Sequence, residues 1–98
     1  MLTLYVKYTA KPGQRERYVR SIVSEGILTA IRAEAGCLNY DYYFSAQEEN
    51  VVLLIERWES AEHQRAHMDQ PHMARLRELK REYIDHVEKG SVELHDAV

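Results

Sequence analysis

Three histidines lie close together in the second half of the chain, and they are the side chains best suited to chemistry. His63 and His67 are four residues apart, and His72 follows soon after. On a helix, residues four apart lie on one face. A histidine that faces a cavity can bond a bound hydroxyl or carbonyl, and it exchanges protons near neutral pH. We therefore interpret His67 as a catalytic residue in a pocket, with His63 and His72 as substrate-binding candidates.

The same spacing has other interpretations. Two imidazoles at i and i+4 can hold one metal ion, with His72 as a third ligand. However, no glutamate follows His63 as in zinc metalloproteases, and no cysteine pair is nearby, so we predict no metal site. His67 could also be a core residue bonded to Glu56, a tyrosine or the backbone, and His72 could only cap a helix.

The strand before these histidines supplies further candidates. Residues 51–55 form an unbroken apolar run, which is typical of a strand buried on both faces. Glu56 and Trp58 follow on the same strand face as Leu54. A buried carboxylate needs a partner, so Glu56 should meet His67, an arginine or a ligand, unless it forms a surface ion pair. We expect Trp58 and Leu54 to form part of the cavity wall or the core.

A short helix should carry His67 inward. Ser60 is a natural N-cap for a helix over residues 61–69. Charged side chains at 62, 65 and 69 form one stripe of that helix, and the opposite side is centred on His67. Pro71 suits the first position of a further helix.

The remaining segments alternate between strand and helix patterns. The other predicted elements are a strand over 2–9, a helical stripe from the Pro12-Gly13 turn to about residue 33, a strand over 37–46 with Leu38, Tyr40, Tyr42 and Phe44 on one face, a long helix marked by Met73, Leu76, Leu79, Tyr83 and Val87, and a last strand over 91–97. This order predicts an α+β, ferredoxin-like split βαβ fold whose four-stranded antiparallel sheet carries its helices on one face. Because the third strand is apolar on both sides, a second copy should cover the other face as a homodimer.

Tyrosine is the dominant aromatic residue, with seven Tyr against one Phe. We expect Tyr40 to contact the substrate, and Tyr42, Tyr43, Tyr5 and Tyr8 could also line a cavity. Ordinary packing is the alternative for each of them.

Composition limits the class of protein. The 98 residues suffice for one domain over 1–98. A net charge of −3, from 13 basic and 16 acidic residues, indicates no nucleic-acid partner. The longest apolar run, five residues, is far short of the roughly 20 that span a bilayer, so no membrane association is expected. The N-terminus shows no secretory signal, and the single Cys37 cannot form an internal disulfide, which favours the cytoplasm.

The motifs together resemble the antibiotic biosynthesis monooxygenase (ABM) family, especially its quinol-monooxygenase-like bacterial branch. The residues that carry the resemblance are E-A-G-C-L-N-Y at 34–40, E-x-W-E-S at 56–60, H-x-x-x-H at 63–67 and P-H-M at 71–73. The resemblance implies a dimeric α+β barrel that oxygenates a small quinol or other electron-rich aromatic with dioxygen and without a cofactor. It also implies that His67 removes a proton or stabilises the substrate anion, Trp58 walls the cavity, and Glu56 orients His67.

Two departures from related patterns narrow this expectation. Polyketide-oxidising relatives carry an asparagine where this chain has Leu54, so the cavity should be less polar there. Haem-degrading relatives use a first-strand asparagine and a last-helix histidine, but residues 2–9 contain no asparagine and 73–85 no histidine. Haem degradation is therefore not expected.

Two other functions remain open. The H-x-x-x-P-H run from His67 to His72 also resembles phospho-autoinducer isomerases, which act on a phosphorylated small dione. Arg65, Arg75 and Lys7 are the cations available for such a phosphate. The non-enzymatic alternative is a dimer that binds small aromatics without turnover.

Overall fold

Four antiparallel strands form one sheet, and helices cover one of its faces. The computed structural model describes residues 1–95. The elements are β1 (Leu2–Ala10), α1 (Arg15–Ser24), α2 (Ile27–Arg32), β2 (Cys37–Phe44), β3 (Val51–Trp58), α3 (Ala61–Met68), α4 (Met73–Tyr83) and β4 (Ile84–Ser91). The strand order is β2-β3-β1-β4. The predicted α+β, split βαβ sheet is confirmed.

Burial alternates along β3 and decides which of its side chains reach the helices. The buried set is Val51, Val52, Leu54, Glu56 and Trp58, and the partly exposed set is Leu53, Ile55 and Arg57. Leu54, Glu56 and Trp58 therefore share the helix-covered face, as predicted. The other face of the strand is apolar but only partly covered.

The first helical stripe is two helices, not one. The prediction of a continuous helix to about residue 33 was wrong, because Gly26 adopts a left-handed conformation with φ 77° between α1 and α2. Glycine takes this conformation without the steric cost of a Cβ atom. The apolar stripe nevertheless continues across the break, so Ile22, Ile27 and Ile31 are all buried in the core.

The C-terminal boundaries also differ from the prediction. Pro71 precedes α4, which begins at Met73, and the helix ends at Tyr83. Val87, expected on that helix, lies in β4 opposite Tyr8 of β1. The last strand therefore spans Ile84–Ser91 instead of the predicted 91–97. Residues 96–98 lie outside the described part of the chain. Pairing with β1 makes residues 84–91 a strand, although the apolar spacing up to Val87 predicted a helix. The helical pattern is weak in this segment because several of its residues are charged.

The second strand agrees with its predicted face only at its centre. Tyr40 is buried and Tyr42 partly buried, whereas Leu38 and Phe44 are exposed near the strand ends. Across residues 1–95, no helix has the length and apolar character needed to cross a membrane.

Candidate functional site

A cavity of about 510 Å³ lies between the sheet and the helices α3 and α4. Its walls are mostly apolar, with a few polar side chains, which is the usual character of a small-molecule site. The lining residues are Leu4, Tyr5, Val6, Tyr8, Tyr40, Glu56, Gln64, His67, Met68, Met73, Lys80, Val87, Lys89, Gly90 and Ser91. The cavity therefore includes three of the predicted site residues, His67, Glu56 and Tyr40.

His67 is the single buried residue of α3 and faces this cavity. The helix forms as predicted: the Ser60 side chain caps it by accepting a hydrogen bond from the His63 amide. The His67 ring lies 4.7 Å from the Trp58 ring and 5.5 Å from the Tyr40 ring, centroid to centroid. Two aromatic rings thus hold the imidazole in place.

Glu34 is a site residue that the sequence interpretation missed. Its carboxylate oxygens lie 3.0 and 3.1 Å from His67 Nδ1, and one of them lies 2.7 Å from His72 Nε2. Side-chain exposure is 1% for His67 and 6% for Glu34, but 22% for His72. A buried carboxylate therefore joins the cavity histidine to a histidine that reaches solvent.

This contact changes two expectations. His72 occupies the N-cap position of α4 but makes no side-chain capping bond; its ring contacts Glu34. The carboxylate on His67 Nδ1 is likewise Glu34, not Glu56. A carboxylate there favours the tautomer with the proton on Nδ1, which leaves Nε2 free to accept a proton.

Glu56 is buried and has a different partner. Its Oε1 accepts a hydrogen bond of 2.9 Å from Trp58 Nε1, two residues along the same strand face. The alternative of a surface ion pair for Glu56 does not hold, and the carboxylate bonds Trp58 where a contact with His67 was predicted. Glu56 lines the cavity, whereas Trp58 packs behind His67 in the core.

Tyr5, Tyr8 and Tyr40 line the cavity, and the pKa values of Tyr8 and Tyr40 are shifted. Burial, reinforced by neighbouring phenols and the Glu56 carboxylate, raises the pKa of Tyr40. Burial, followed by the Glu56 charge, raises the pKa of Tyr8. Both phenols therefore stay protonated at neutral pH and can donate a hydrogen bond.

A family model described as antibiotic biosynthesis monooxygenase matches residues 1–79. The chain belongs to this family. The Escherichia coli (strain K12) protein named "Probable quinol monooxygenase YgiN" is 30% identical over 81 residues, which cover 74% of this chain and 78% of that protein.

Solved structures share the fold over almost the whole chain. PA3566 from Pseudomonas aeruginosa is 26% identical, with a TM-score of 0.83 and coverage of 97% of this chain and 94% of that one. Rv0793 from Mycobacterium tuberculosis is also 26% identical, with a TM-score of 0.80 and coverage of 98% and 96%. The fold assignment therefore does not depend on one relative.

The ABM match includes most of the cavity but not all of it. Tyr40, Glu56 and His67 lie inside the matched segment, whereas Lys80 and the β4 residues lie beyond it. Lys80 was not among the predicted site residues. Its amine lies 5.6 Å from the centroid of the Tyr8 ring, on the cavity wall formed by α4.

His63 and Leu54, two other predicted site residues of this ABM chain, lie away from the cavity. The His63 ring packs on Gly36, where a Cβ would collide with the ring, and its Nδ1 lies 2.7 Å from Ser60 Oγ. Leu54 is fully buried in the hydrophobic core. The geometry gives both residues packing partners, and their predicted contact with substrate remains untested.

Further side chains considered for other chemistry do not converge. Within residues 1–95 the structure contains no group of three or more His, Cys, Asp or Glu side chains that could hold a metal ion. The cations considered for a phosphate are elsewhere: Arg75 pairs with Glu25, Lys7 pairs with Glu48, and Arg65 pairs with Glu62. None of these three cations lines the cavity.

Proposed function

We propose that this ABM chain is a cofactor-independent monooxygenase that acts on a small quinol or another electron-rich aromatic, with dioxygen as co-substrate. The observation that carries the proposal is the buried His67, which faces the cavity while Glu34 holds its Nδ1. Membership of the ABM family and the similarity to a protein named as a quinol monooxygenase support it.

Proton removal is the step that the site can assist. With its proton on Nδ1, His67 accepts a proton from a substrate hydroxyl at Nε2, and the Glu34 carboxylate stabilises the resulting imidazolium. The Tyr40 phenol, which lines the cavity, would donate a hydrogen bond to the substrate oxygen. The cavity orients the substrate and excludes bulk water from its anion.

The substrate itself supplies the electrons for oxygen reduction. Once deprotonated, the electron-rich ring transfers electrons to dioxygen and forms a carbon–oxygen bond with it. Loss of water from the resulting hydroperoxide breaks the oxygen–oxygen bond. For a quinol, the products are a hydroxyquinone and one water, so no further reductant is needed.

The contact between Glu34 and His72 extends the bonded network of His67 to the protein surface. His72 bonds the same carboxylate as His67, and its side chain is 22% exposed. The proton taken up by His67 at Nε2 returns from there when water leaves the hydroperoxide, so turnover releases no net proton, and Glu34, held by His72, stabilises the imidazolium in the interval.

We also propose that residues 1–98 act as one ABM domain in a homodimer. The sheet face opposite the helices carries the partly exposed Leu53 and Ile55 of β3 and the exposed Tyr43 of β2. An apolar sheet face of this kind is normally covered. A second copy that packs sheet against sheet would bury it.

Oxygen consumption with a panel of reduced quinols tests the function. We expect the metal-stripped wild type to consume oxygen above the spontaneous rate and to release a hydroxyquinone. The His67→Ala variant should lose about 10²- to 10⁴-fold in rate, which is the usual contribution of a positioned base.

His63→Ala is the matched control, because it removes the same side chain from the same helix but outside the cavity. This control should keep most of the wild-type rate. Equal rates for wild type and His67→Ala would remove His67 from the mechanism. Binding of quinols without any oxygen uptake would instead support a non-enzymatic binding protein.

A further inference from the structure

The Glu56 carboxylate lies toward one end of the cavity, and the Lys80 amine lies toward the other. Glu56 lies opposite Leu4 of β1, whereas Lys80 lies over the Tyr8 ring. Leu4 and Tyr8 are four residues apart on one strand, which corresponds to roughly 13 Å of backbone at about 3.3 Å per residue. A bound molecule of one or two rings could therefore meet His67 and Glu56 at one end and Lys80 at the other.

Within residues 1–95 the Lys80 amine forms no ion pair and no hydrogen bond, and its contact is with the face of the Tyr8 ring, 5.6 Å from the centroid. The ion pairs and side-chain hydrogen bonds formed within residues 1–95 do not include it. Glu56, the carboxylate of the cavity wall, is bonded to Trp58 instead. Lys80 is only partly exposed, and a partly desolvated cation without an ionic partner is stabilised when a ligand supplies the opposite charge.

Lys89 adds positive charge to the same region. It lines the cavity from β4 but is exposed to solvent. With Glu56 ionised, the two lysines leave one positive charge in excess along the cavity wall. A ligand with one negative charge would neutralise that excess.

We propose that the cavity selects hydroxylated aromatic substrates that carry an anionic substituent such as a carboxylate, with Lys80 binding the anion and the ring hydroxyl directed toward His67. This inference rests on the proposed function only in taking the cavity as the substrate site. It deepens that function, because a quinol without such a substituent would leave Lys80 unpaired.

The direction of the Lys80 pKa agrees with this role. Burial lowers the pKa of the amine, with Lys89 and Arg77 acting in the same direction and Glu56 against it. A bound carboxylate would reverse the effect by stabilising the ammonium form.

A pair of probes that differ in charge but keep the same ring tests the proposal directly. We would measure the binding of 1-naphthoate and its neutral analogue 1-naphthamide by calorimetry, in the absence of any turnover. Hydrogen bonds to charged groups correspond to about tenfold or more in affinity. We therefore expect wild type to bind naphthoate at least about tenfold more tightly than naphthamide.

Variants assign the preference to one amine. Lys80→Met should bind the two probes about equally, and Lys80→Arg should keep the preference because it keeps the charge. Lys89→Met is the matched control on the same cavity wall and should show a smaller loss, since its exposed charge is screened by water.

Several outcomes would overturn the proposal. Equal affinities for the two probes in wild type would do so whether or not any variant folds, and so would a failure of both probes to bind. A preference that persists in Lys80→Met would also contradict it. Because no oxygen chemistry is measured, a naphthoate preference without oxygen uptake by any quinol, carboxylated quinols included, would overturn the proposed oxygenase and leave the anion site standing.

Discussion

The helix layer has a filled half and an open half. Over the filled half, α1 and α2 bury Tyr18, Ile22, Ile27 and Ile31 against the sheet. Over the open half, α3 buries only His67, and the space beside it is the cavity of about 510 Å³. The two halves share one sheet, so the difference lies in what the helices present to it.

This contrast separates side chains that stabilise the fold from side chains that serve a ligand. An aliphatic side chain in a close-packed layer contributes through burial and dispersion, and its loss leaves a cavity. A side chain beside an existing cavity loses less when truncated, because space is already there. Substitutions in the two halves should therefore affect different measurements.

The largest expected effect is on stability in the filled half. Ile22→Ala removes a fully buried side chain and should lower the free energy of unfolding by about 2–5 kcal/mol, as measured by urea titration. Met68→Ala, in the cavity wall and 43% exposed, is the comparison and should cost less than about 1 kcal/mol. Equal losses for the two variants would show that the halves do not differ as described.

An intermediate effect is expected at Glu34, where the open half depends on a buried charge. Glu34→Gln removes the carboxylate from two histidines and should cost about 1–3 kcal/mol in stability. It should also lower the population of the Nδ1-protonated tautomer of His67, because an amide oxygen is a weaker acceptor than a carboxylate. Nitrogen NMR of the imidazole ring measures that tautomer directly.

Glu59→Gln is the control for this variant, since Glu59 is an exposed carboxylate just after β3. It should change neither stability nor the His67 tautomer. If Glu34→Gln left the tautomer as in wild type, Glu34 would not be the group that positions His67.

In the open half, the periodicity of charged residues and the N-cap residue were sufficient to predict α3 and its inward face. Ser60 marked the start of α3, and the charged stripe at 62, 65 and 69 placed His67 on the inward face. The same reasoning identified Glu56 and Trp58 as neighbours on one strand face. These features are local, so a few residues of sequence contain the whole signal.

The contacts that complete the site are not local. Glu34 lies in the turn after α2, 33 positions before His67 and 38 before His72, so no helical or strand period relates them. Lys80 looked like one charged residue among many on an amphipathic helix, and only the packing of α4 on β1 places it over Tyr8. The β4 boundary was missed for the same reason, because pairing with β1 determines it.

The smallest expected effect is a pH dependence that belongs to Lys80. Burial lowers the pKa of the Lys80 amine from the usual 10.5, so the unfolded chain holds this proton more tightly than the folded chain. Between the two pKa values the unfolded state binds more protons, and the lysine therefore makes stability rise with pH toward 10.5.

Lys80→Met removes that contribution. Urea unfolding of both proteins from neutral to alkaline pH should show a steeper rise, or a shallower fall, for wild type than for the variant. Lys89→Met, which removes an exposed amine, should follow wild type. Parallel stability curves for wild type and Lys80→Met would mean that this amine is as well hydrated as a surface lysine. The two halves of the helix layer would then differ in how fully they are packed but not in the hydration of their charged groups.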